Sequence, residues 1–389
     1  MFRRSGSGFR QKWTSLTLKG ALYGSWILGV FPFTYDSWTR TLRRSKWLIV
    51  YGCVLNAAFI LLVVTNDTET EIPLRMEVFH RNALAEQING IHDIQSLSMV
   101  SIMLLRSFWK SDDIERTLNE LQDLQHRYFR YYSLEECTRF DRFVLYKALS
   151  VVLEIASMLA LELGMSPNFS AQFFIGLGSL CLMMSAVLLG ASHFHLAVVF
   201  VYRYMWIVNR ELLKLVNKLA NGETVESEKV DFLLKLYHRL LDLSHRLASI
   251  YDYQMVMVMA SFLIANVLGI YFFIIYSISL NKNMDIQIVV FVQALAINML
   301  DFWLNIEICE LAERTGRQTS TILKLFNDIE CLDQKLERSI TDFALFCSHR
   351  RLRFHHCGLF YVNCEMGFRM AITSFLYLLF LIQFDFWNL

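Results

Sequence analysis

The chain has 389 residues, of which 55% are hydrophobic, 14% are aromatic and only 19% are charged. Globular proteins average roughly 45–50% apolar and about 25% charged residues, so this composition is shifted toward apolar residues on both counts. The 37 basic and 36 acidic residues leave a formal charge of +1, which argues against a nucleic-acid-binding protein. With 3 prolines and 16 glycines, the sequence is not of the low-complexity or disordered type.

The first predicted element is a short helix that precedes the long apolar stretches. Residues 21–33 are apolar but too few to cross a bilayer, whose ~30 Å core requires about 20 helical residues. Pro32 interrupts the stretch, and the bulky residues that follow do not form a signal-peptide cleavage site. We therefore expect residues 1–46 to contain a short helix that is buried against the other helices or lies at the membrane interface.

Longer apolar stretches predict membrane-spanning helices, which we number S1 to S7. Residues 163–202, for example, contain no Asp, Glu, Lys or Arg over 40 positions. Soluble helices need a polar face, and such stretches lack one. The predicted spans are residues 47–65, 86–105, 143–163, 173–202, 255–280, 286–309 and 367–386. The sequence thus predicts an all-α polytopic membrane protein. Its spanning helices are expected to contact the lipid bilayer.

The distribution of Lys and Arg orients the spans, because basic residues are enriched on the cytosolic side of membrane proteins. With the first 46 residues inside, the inner segments carry 32 basic residues and the outer segments carry three. Both N-glycosylation sequons, at Asn66 and Asn168, then fall outside. We therefore predict a cytosolic N-terminus and an extracellular C-terminus, which is inverted relative to a G-protein-coupled receptor.

This topology divides the chain into six segments. In order, they are the cytosolic N-terminal segment 1–46, spans S1–S4 at 47–202, a cytosolic S4–S5 helical extension at 203–253, spans S5–S6 at 254–309, cytosolic helices at 310–356 and the S7 segment at 357–389.

The three longer cytosolic connections carry apolar stripes at helical spacing. Leucine and isoleucine recur at alternating intervals of three and four between Leu233 and Ile250, as in a coiled coil. Similar stripes run from Ile322 to Phe343 and from Ile114 to Tyr128. Each stripe needs an apolar partner, which either the same subunit or another subunit supplies.

No group of residues in the sequence indicates an enzyme. There is no recognisable nucleophile–base pair and no familiar metal-binding spacing, so we expect no catalytic residue, cofactor or metal. None of the eight cysteines falls in a predicted outer loop, which makes a disulfide framework unexpected. His193 and His195, within S4, are expected to be hydrogen-bonded core residues in preference to ligand contacts.

Polar residues within the spans are candidates for function, because such residues are rare and costly in a membrane. They are predicted to line an outward-facing pocket for a small amphipathic ligand, although hydrogen bonding between helices is the alternative for each. The candidate pocket residues are Asn89, His92, Gln95, Glu154, Glu162, Asn266, Tyr271 and Gln293. Asp301 and Glu307, closer to the cytosolic end of S6, are expected to pair with Lys or Arg from inner loops.

The last span carries the most specific motif. Tyr377 is followed by five apolar residues and then by Gln383 and Phe384, close to the C-terminus. This pattern resembles the signature of the insect gustatory receptor family, although Leu376 stands where that family usually has threonine. The segment Gly29–Phe33 is similar to the opening segment of the family and most resembles its fly bitter-taste branch.

The resemblance implies a tetrameric, ligand-gated cation channel in the plasma membrane of sensory neurons. A small-molecule tastant would bind in the outer halves of S2 to S6, and the inner ends of S4 to S7 would anchor the subunits to one another. The end of S7 would line the pore for permeant cations, and the tetramer would contain either identical subunits or related receptors. The implied pore and gate residues are Tyr377, Phe380, Gln383, Phe384 and Asp385.

The side-chain chemistry of the implied pore residues is consistent with gating and cation conduction. A ring of Phe384 side chains would exclude water from a narrow pore, and Gln383 would hydrate ions if it turned toward the axis. Asp385, just outside, would concentrate cations at the mouth. The alternative functions are a metabotropic receptor that signals through a cytosolic partner and a secondary transporter, although the internal repeats and broken spans of transporters are not recognisable in the sequence.

Overall fold

The computed structural model describes residues 9–36, 38–39, 41–67, 83–129, 137–165, 170–279, 286–329 and 332–387. Helices occupy most of this part of the chain. They are α1 (Phe9–Ile27), α2 (Lys46–Asp67), α3 (Ala83–Trp109), α4 (Ser111–Arg127), α5 (Thr138–Met165), α6 (Ala171–Ala220), α7 (Ser227–Ser279), α8 (Ile286–Lys324), α9 (Gln334–His349) and α10 (Cys364–Trp387). A short 3₁₀ turn, Leu325–Asp328, follows α8.

Two short antiparallel hairpins interrupt the helices, and the sequence patterns did not predict either of them. In the first, β1 (Phe33–Asp36) pairs with β2 (Thr41–Arg44), in the register Phe33 to Arg44. In the second, β3 (His355–His356) pairs with β4 (Phe360–Tyr361). Each hairpin directly precedes a predicted span, so each sets where a spanning helix begins.

A helix lies at each predicted span, with S1 to S7 corresponding to α2, α3, α5, α6, α7, α8 and α10. Within the described residues, five helices are long and apolar enough to cross a membrane, namely Arg139–Gly164, Ala171–Ala220, Ser227–Tyr271, Val289–Asp328 and Cys364–Phe384. Lys46–Leu62 forms a shorter apolar helix. The prediction of an all-α membrane protein is confirmed.

Two helices are far longer than a bilayer is thick. Helix α6 has 50 residues and α7 has 53, so each measures about 75–80 Å at 1.5 Å per residue. A bilayer, including its headgroups, is about 40–45 Å thick. These helices therefore continue out of the membrane on one side, and they do so in the segments predicted to be cytosolic.

The largest apolar core of the described residues lies in these extensions. The stripe on α7 is buried along its whole length, by contact with the extended ends of α6 and α8 and with α9. Leu336, Ile340 and Phe343 of α9 are buried in the same core. The partner that the leucine stripes need is thus supplied within the subunit.

The N-terminal segment is anchored to two spans by polar contacts. Helix α1 has 19 residues and begins well before the apolar stretch that predicted it. Near its start, Arg10 Nε donates a hydrogen bond to Asp141 Oδ2 of α5 at 3.3 Å. Near its end, Ser25 Oγ lies 2.8 Å from His193 Nε2 of α6. Arg10 thus gives a partner to the part of α1 that precedes the apolar stretch, and Ser25 joins the apolar part to α6.

A close approach of two glycines explains the segment that follows α1. Gly29 has a positive φ of 64°, and a Cβ added to it would lie 2.6 Å from Cα of Gly52 on α2. Asn56, one turn further along α2, donates to the carbonyl oxygens of Leu28 and Gly52 at 3.4 and 2.7 Å. Only glycine permits both the left-handed conformation and this backbone contact.

Gly52→Ala is expected to destabilise the protein, since the added methyl group would overlap the backbone carbonyl of Gly29. Overpacking of this kind typically costs about 1–3 kcal/mol. The melting temperature of the purified protein in detergent would report the loss. The matched control is Gly90→Ala in α3, where nothing lies within 4 Å of the new methyl group and helix propensity should slightly raise stability. Equal melting temperatures for the two variants would contradict the packing argument.

Candidate functional site

The implied gate lies on a helix that is only partly covered within the subunit. At the inner end of α10, Gly367 packs against Trp303 and Ile306 of α8. Toward the outer end, Leu378 and Leu381 are buried in a small apolar cluster. Much of the remaining surface of the helix is exposed. Its exposed side chains include Phe368, Ile372, Phe375, Leu376, Tyr377, Phe380, Gln383 and Phe384.

The predicted gate residues are therefore gathered on the uncovered part of α10. The rings of Phe380 and Phe384 are neighbours, with centroids 6.4 Å apart. Asp385 continues the helix, but its side chain lies outside the described residues. A large exposed apolar face marks a surface that contacts lipid or another protein chain. Such a face on a predicted pore helix is available to further copies of the chain.

A buried tyrosine connects α10 to the predicted ligand-binding region. Tyr271 of α7 is fully buried in the cluster that contains Leu378 and Leu381. Leu84 and Ile88 of α3 pack against the same cluster. The predicted outer parts of S2, S5 and S7 therefore meet around this side chain, which is one of the candidate pocket residues.

The other pocket candidates are more scattered. Asn266 is buried, and its Nδ2 donates to the Phe262 carbonyl of its own helix at 2.7 Å. His92 is half-buried, with its Nε2 3.4 Å from Ser96 Oγ. The remaining members differ in exposure, since Gln293 is exposed whereas Asn89, Gln95, Glu154 and Glu162 are half-buried. An enclosed ligand pocket formed by these residues stays a prediction.

Glu154, one of these candidates, belongs to a buried ionic cluster between two spans. Lys147 Nζ of α5 donates to both carboxylate oxygens of Asp301 on α8, at 2.7 and 2.6 Å. Ser150 Oγ donates to the same carboxylate at 2.5 Å. Glu154, one turn further along the same face of α5, interacts electrostatically with both charges. Two carboxyl groups and one lysine thus lie close together between α5 and α8.

The ionic cluster extends to a third helix through an amide. Asn305 Nδ2 donates to the backbone carbonyl of Asp301 at 2.8 Å, and Asn305 Oδ1 lies 3.2 Å from His195 Nδ1 of α6. The expected hydrogen-bonded role of His193 and His195 is confirmed. The expectation for Asp301 needs correction, because its lysine comes from S3 and not from an inner loop. In a membrane, a buried carboxylate is stable only with a partner at its own depth.

A second polar contact fixes the segment that leads into α10. His356 of β3 is buried, with its Nδ1 3.0 Å from Asp252 Oδ1 of α7 and its ring 5.5 Å from that of Phe194. Burial lowers the pKa of His356, although the hydrogen bond to Asp252 acts in the opposite direction. The hairpin before the predicted pore helix is thereby tied to the predicted cytosolic end of S5.

The glycosylation candidates lie at the edges of the described chain. Asn66 is in the last turn of α2, and its side chain is outside the described residues, as is the whole of Asn168. Their positions, one after S1 and one before S4, remain those expected of outer loops on the predicted topology.

Comparisons with known proteins identify relatives along the whole chain. The profile of a family described as 7tm Chemosensory receptor matches residues 18–388. Gustatory receptor for bitter taste 22e of Drosophila melanogaster is 89% identical over 389 residues, which is 100% of both chains. Putative gustatory receptor 22d of the same fly is 44% identical over 99% of this chain and 100% of that one.

Solved structures share the architecture at much lower sequence identity. The insect olfactory receptor OR5 from Machilis hrabei superimposes with a TM-score of 0.69 at 13% identity, covering 96% of this chain and 98% of that one. The same receptor in complex with eugenol gives a TM-score of 0.68 at 14% identity. At identity this low, the structural match shows a shared fold alone.

Lys147→Met is expected to reduce the stability of the protein by about 3–5 kcal/mol, because it leaves the Asp301 carboxylate buried without its cation. The double variant Lys147→Met/Asp301→Met removes both charges and should recover most of this loss. Melting temperatures of the purified proteins measure both effects. Lys214→Met, which breaks an exposed pair with Glu211, is the control and should cost less than about 1 kcal/mol. Equal losses for Lys147→Met and Lys214→Met would contradict the assignment.

The stability of the protein should decrease as the pH falls below about 6.5, the usual pKa of histidine. In this range the unfolded chain protonates His356, while the folded protein keeps it neutral because its pKa is lowered. The unfolded state then binds more protons, so the free energy of unfolding drops. His356→Gln, which keeps a donor for Asp252, should make the melting temperature less dependent on pH. His349→Gln, at an exposed site on α9, should leave that dependence unchanged.

Proposed function

This chain belongs to the 7tm chemosensory receptor family, among its gustatory receptors, and on that premise we propose that it is a bitter-taste receptor acting as a ligand-gated cation channel. The bitter specificity rests on its near-identity, over the full length, to a fly receptor for bitter taste. The ligand is then a small-molecule tastant, and the receptor works in the plasma membrane of sensory neurons. Its N-terminus is cytosolic and its C-terminus extracellular.

The observation that supports a channel most directly is the uncovered face of α10. This helix has no charged residue between Arg369 and Asp385, yet it leaves most of its aromatic side chains outside the subunit core. Further copies of α10, arranged around an axis, would cover that face and enclose a pore. The assembly is a tetramer of identical or related subunits.

Gating follows from the chemistry of the two residues near the outer end of α10. In the closed state, Phe384 side chains from all subunits narrow the pore and exclude water. Rotation of α10 would withdraw them and bring the Gln383 amide groups toward the axis, where they can hydrate passing cations. Tyr377 and Phe380 line the pore further in, and Asp385 attracts cations to its mouth.

Ligand binding reaches this gate through the buried cluster around Tyr271. A tastant held by the outer halves of S2 to S6 would shift α3 or α7, whose side chains pack with Leu378 and Leu381 of α10. Movement of α7 at this level is therefore transmitted to the pore helix by direct contact. Asn89, which follows Ile88 on α3, would sit at the edge of the same region.

The cytosolic side holds the subunits while the outer side moves. The extended ends of α6, α7 and α8 share a continuous apolar core with α9, and the His356–Asp252 contact holds the approach to α10. Such a core resists small deformations, because close-packed interiors do not bend continuously. The inner ends of S4 to S7 form the contacts between subunits.

The proposal predicts a tastant-evoked current that depends on Gln383 and Phe384. Expression in cells, with and without related receptors, and recording against a panel of bitter compounds would detect it. Phe384→Ala should raise the current without ligand, because the closed ring loses its aromatic side chains. Gln383→Ala should lower conductance in the open state.

Tyr146→Ala, at an exposed tyrosine near the predicted inner end of α5, is the matched control and should leave the current unchanged. If the Gln383 and Phe384 variants behave like this control, the pore assignment is wrong. If purified receptor shows no conductance in bilayers, while cells respond to tastants only with intact G-protein signalling, the metabotropic alternative is correct.

A further inference from the structure

Helix α1 carries an apolar stripe that no described part of the chain covers. Phe9, Trp13, Leu16, Tyr23 and Ile27 recur at intervals that place them within about 40° of one line on the helix. Their exposed fractions are 78%, 48%, 59%, 57% and 67%. The stripe is thus a continuous apolar surface that faces away from the protein.

The opposite face of α1 fixes how the helix sits against the membrane spans. In its first turn, Arg10 donates a hydrogen bond to Asp141, which lies just before the predicted start of S3. Near its other end, Ser25 contacts His193, which lies roughly 13 Å along S4 from the predicted inner end at residue 202. Helix α1 therefore slopes from the cytosolic boundary into the inner leaflet, and its exposed stripe lies at the depth of lipid.

Two lysines lie along one edge of the stripe. Lys12 and Lys19 are seven residues apart, which places them on the same side of the helix and about 10 Å from each other along its axis. Both are exposed. The sequence contains no acidic residue before Asp36, so the basic charge of this segment is not offset locally. An edge of this kind suits the negatively charged headgroups of a cytosolic leaflet.

The surface next to α1 is also apolar and exposed. Tyr51 Oη donates to the Ile27 carbonyl at 2.6 Å and so joins the end of α1 to α2. A shallow apolar groove runs along α2 from this point, lined by Trp47, Val50, Tyr51, Val54 and Leu55. Trp47 and Trp109, at the predicted cytosolic ends of S1 and S2, are almost fully exposed. Tryptophan is enriched at membrane–water interfaces.

We propose that α1 is a lipid-binding helix of the cytosolic leaflet, with its stripe among the acyl chains and with Lys12 and Lys19 bound to the phosphates of anionic lipids. This goes beyond the channel function and does not depend on it, although it uses the same orientation of the chain. A second copy of the receptor is a poorer occupant, because it would bring a lysine-flanked surface against an identical one and lose favourable charge interactions.

A fluorescent amino acid in place of Trp13 would report this contact in the full-length receptor, reconstituted in vesicles. Lipids with brominated acyl chains quench such a probe only at close range. Brominated phosphatidylcholine and brominated phosphatidylserine, compared at equal mole fraction, should both quench it, with the serine lipid the stronger. The same probe in place of Leu345, exposed on cytosolic helix α9, is the control and should not be quenched.

The charge contribution is tested by Lys12→Gln/Lys19→Gln. We expect the preference for brominated phosphatidylserine to fall by about fivefold for each lysine removed, while quenching by brominated phosphatidylcholine persists. Lys235→Gln/Lys335→Gln, at exposed lysines on the cytosolic helices, should keep the preference.

Two results would overturn the proposal. If neither brominated lipid quenches the probe at position 13 and a photocrosslinker there captures a second receptor subunit, the stripe is an interface between copies. If the probe is quenched equally by both lipids, with or without Lys12 and Lys19, the helix lies in lipid but does not recognise anionic headgroups. Neither readout requires a ligand or a current, so failure of the channel proposal leaves the test intact.

Discussion

The hydrocarbon core of a bilayer offers no water to polar groups, and the rest of this structure follows from that constraint. Backbone groups are satisfied within long helices, and side chains that cannot avoid the membrane find partners at their own depth. Lys147 of S3 and Asp301 of S6 meet between α5 and α8, with Ser150 as a further donor. Many of the other exposed side chains of the spans are apolar. Polar contacts thus tie the spans together, and apolar surface is left for lipid or for other subunits.

Within the described residues, the largest buried apolar core lies beyond the membrane-spanning part of the helices. The cytosolic extensions of α6, α7 and α8 form a continuous core with α9, where the stripe from Leu233 to Ile250 is buried. In the outer half, the described residues around Tyr271 form only a small cluster.

Helices α1 and α10 both expose apolar faces, but the charges around those faces differ. The stripe on α1 is flanked by Lys12 and Lys19, which favour an anionic surface. The exposed face of α10 has no charged residue between Arg369 and Asp385, and it bears the Gln383–Phe384 pair near one end. A helix that meets copies of itself around an axis would be destabilised by repeated like charges. The same physical feature therefore points to lipid in one case and to subunits in the other.

The amino-acid sequence by itself determined the membrane class, the positions of the spans and the family resemblance. Each depends on local properties: uncharged runs of about 20 residues, and the spacing of Tyr377 from Gln383 and Phe384. Gly29 could also be read from the sequence, but the need for glycine at that position could not. The backbone of Gly52, which Gly29 contacts, lies on another helix. Only the tertiary structure decided that Lys147 pairs with Asp301, that His356 joins Asp252, and that α1 turns its apolar stripe outward. Those outcomes depend on which helix faces pack together, and no periodicity within one segment encodes the neighbour that its side chains will meet.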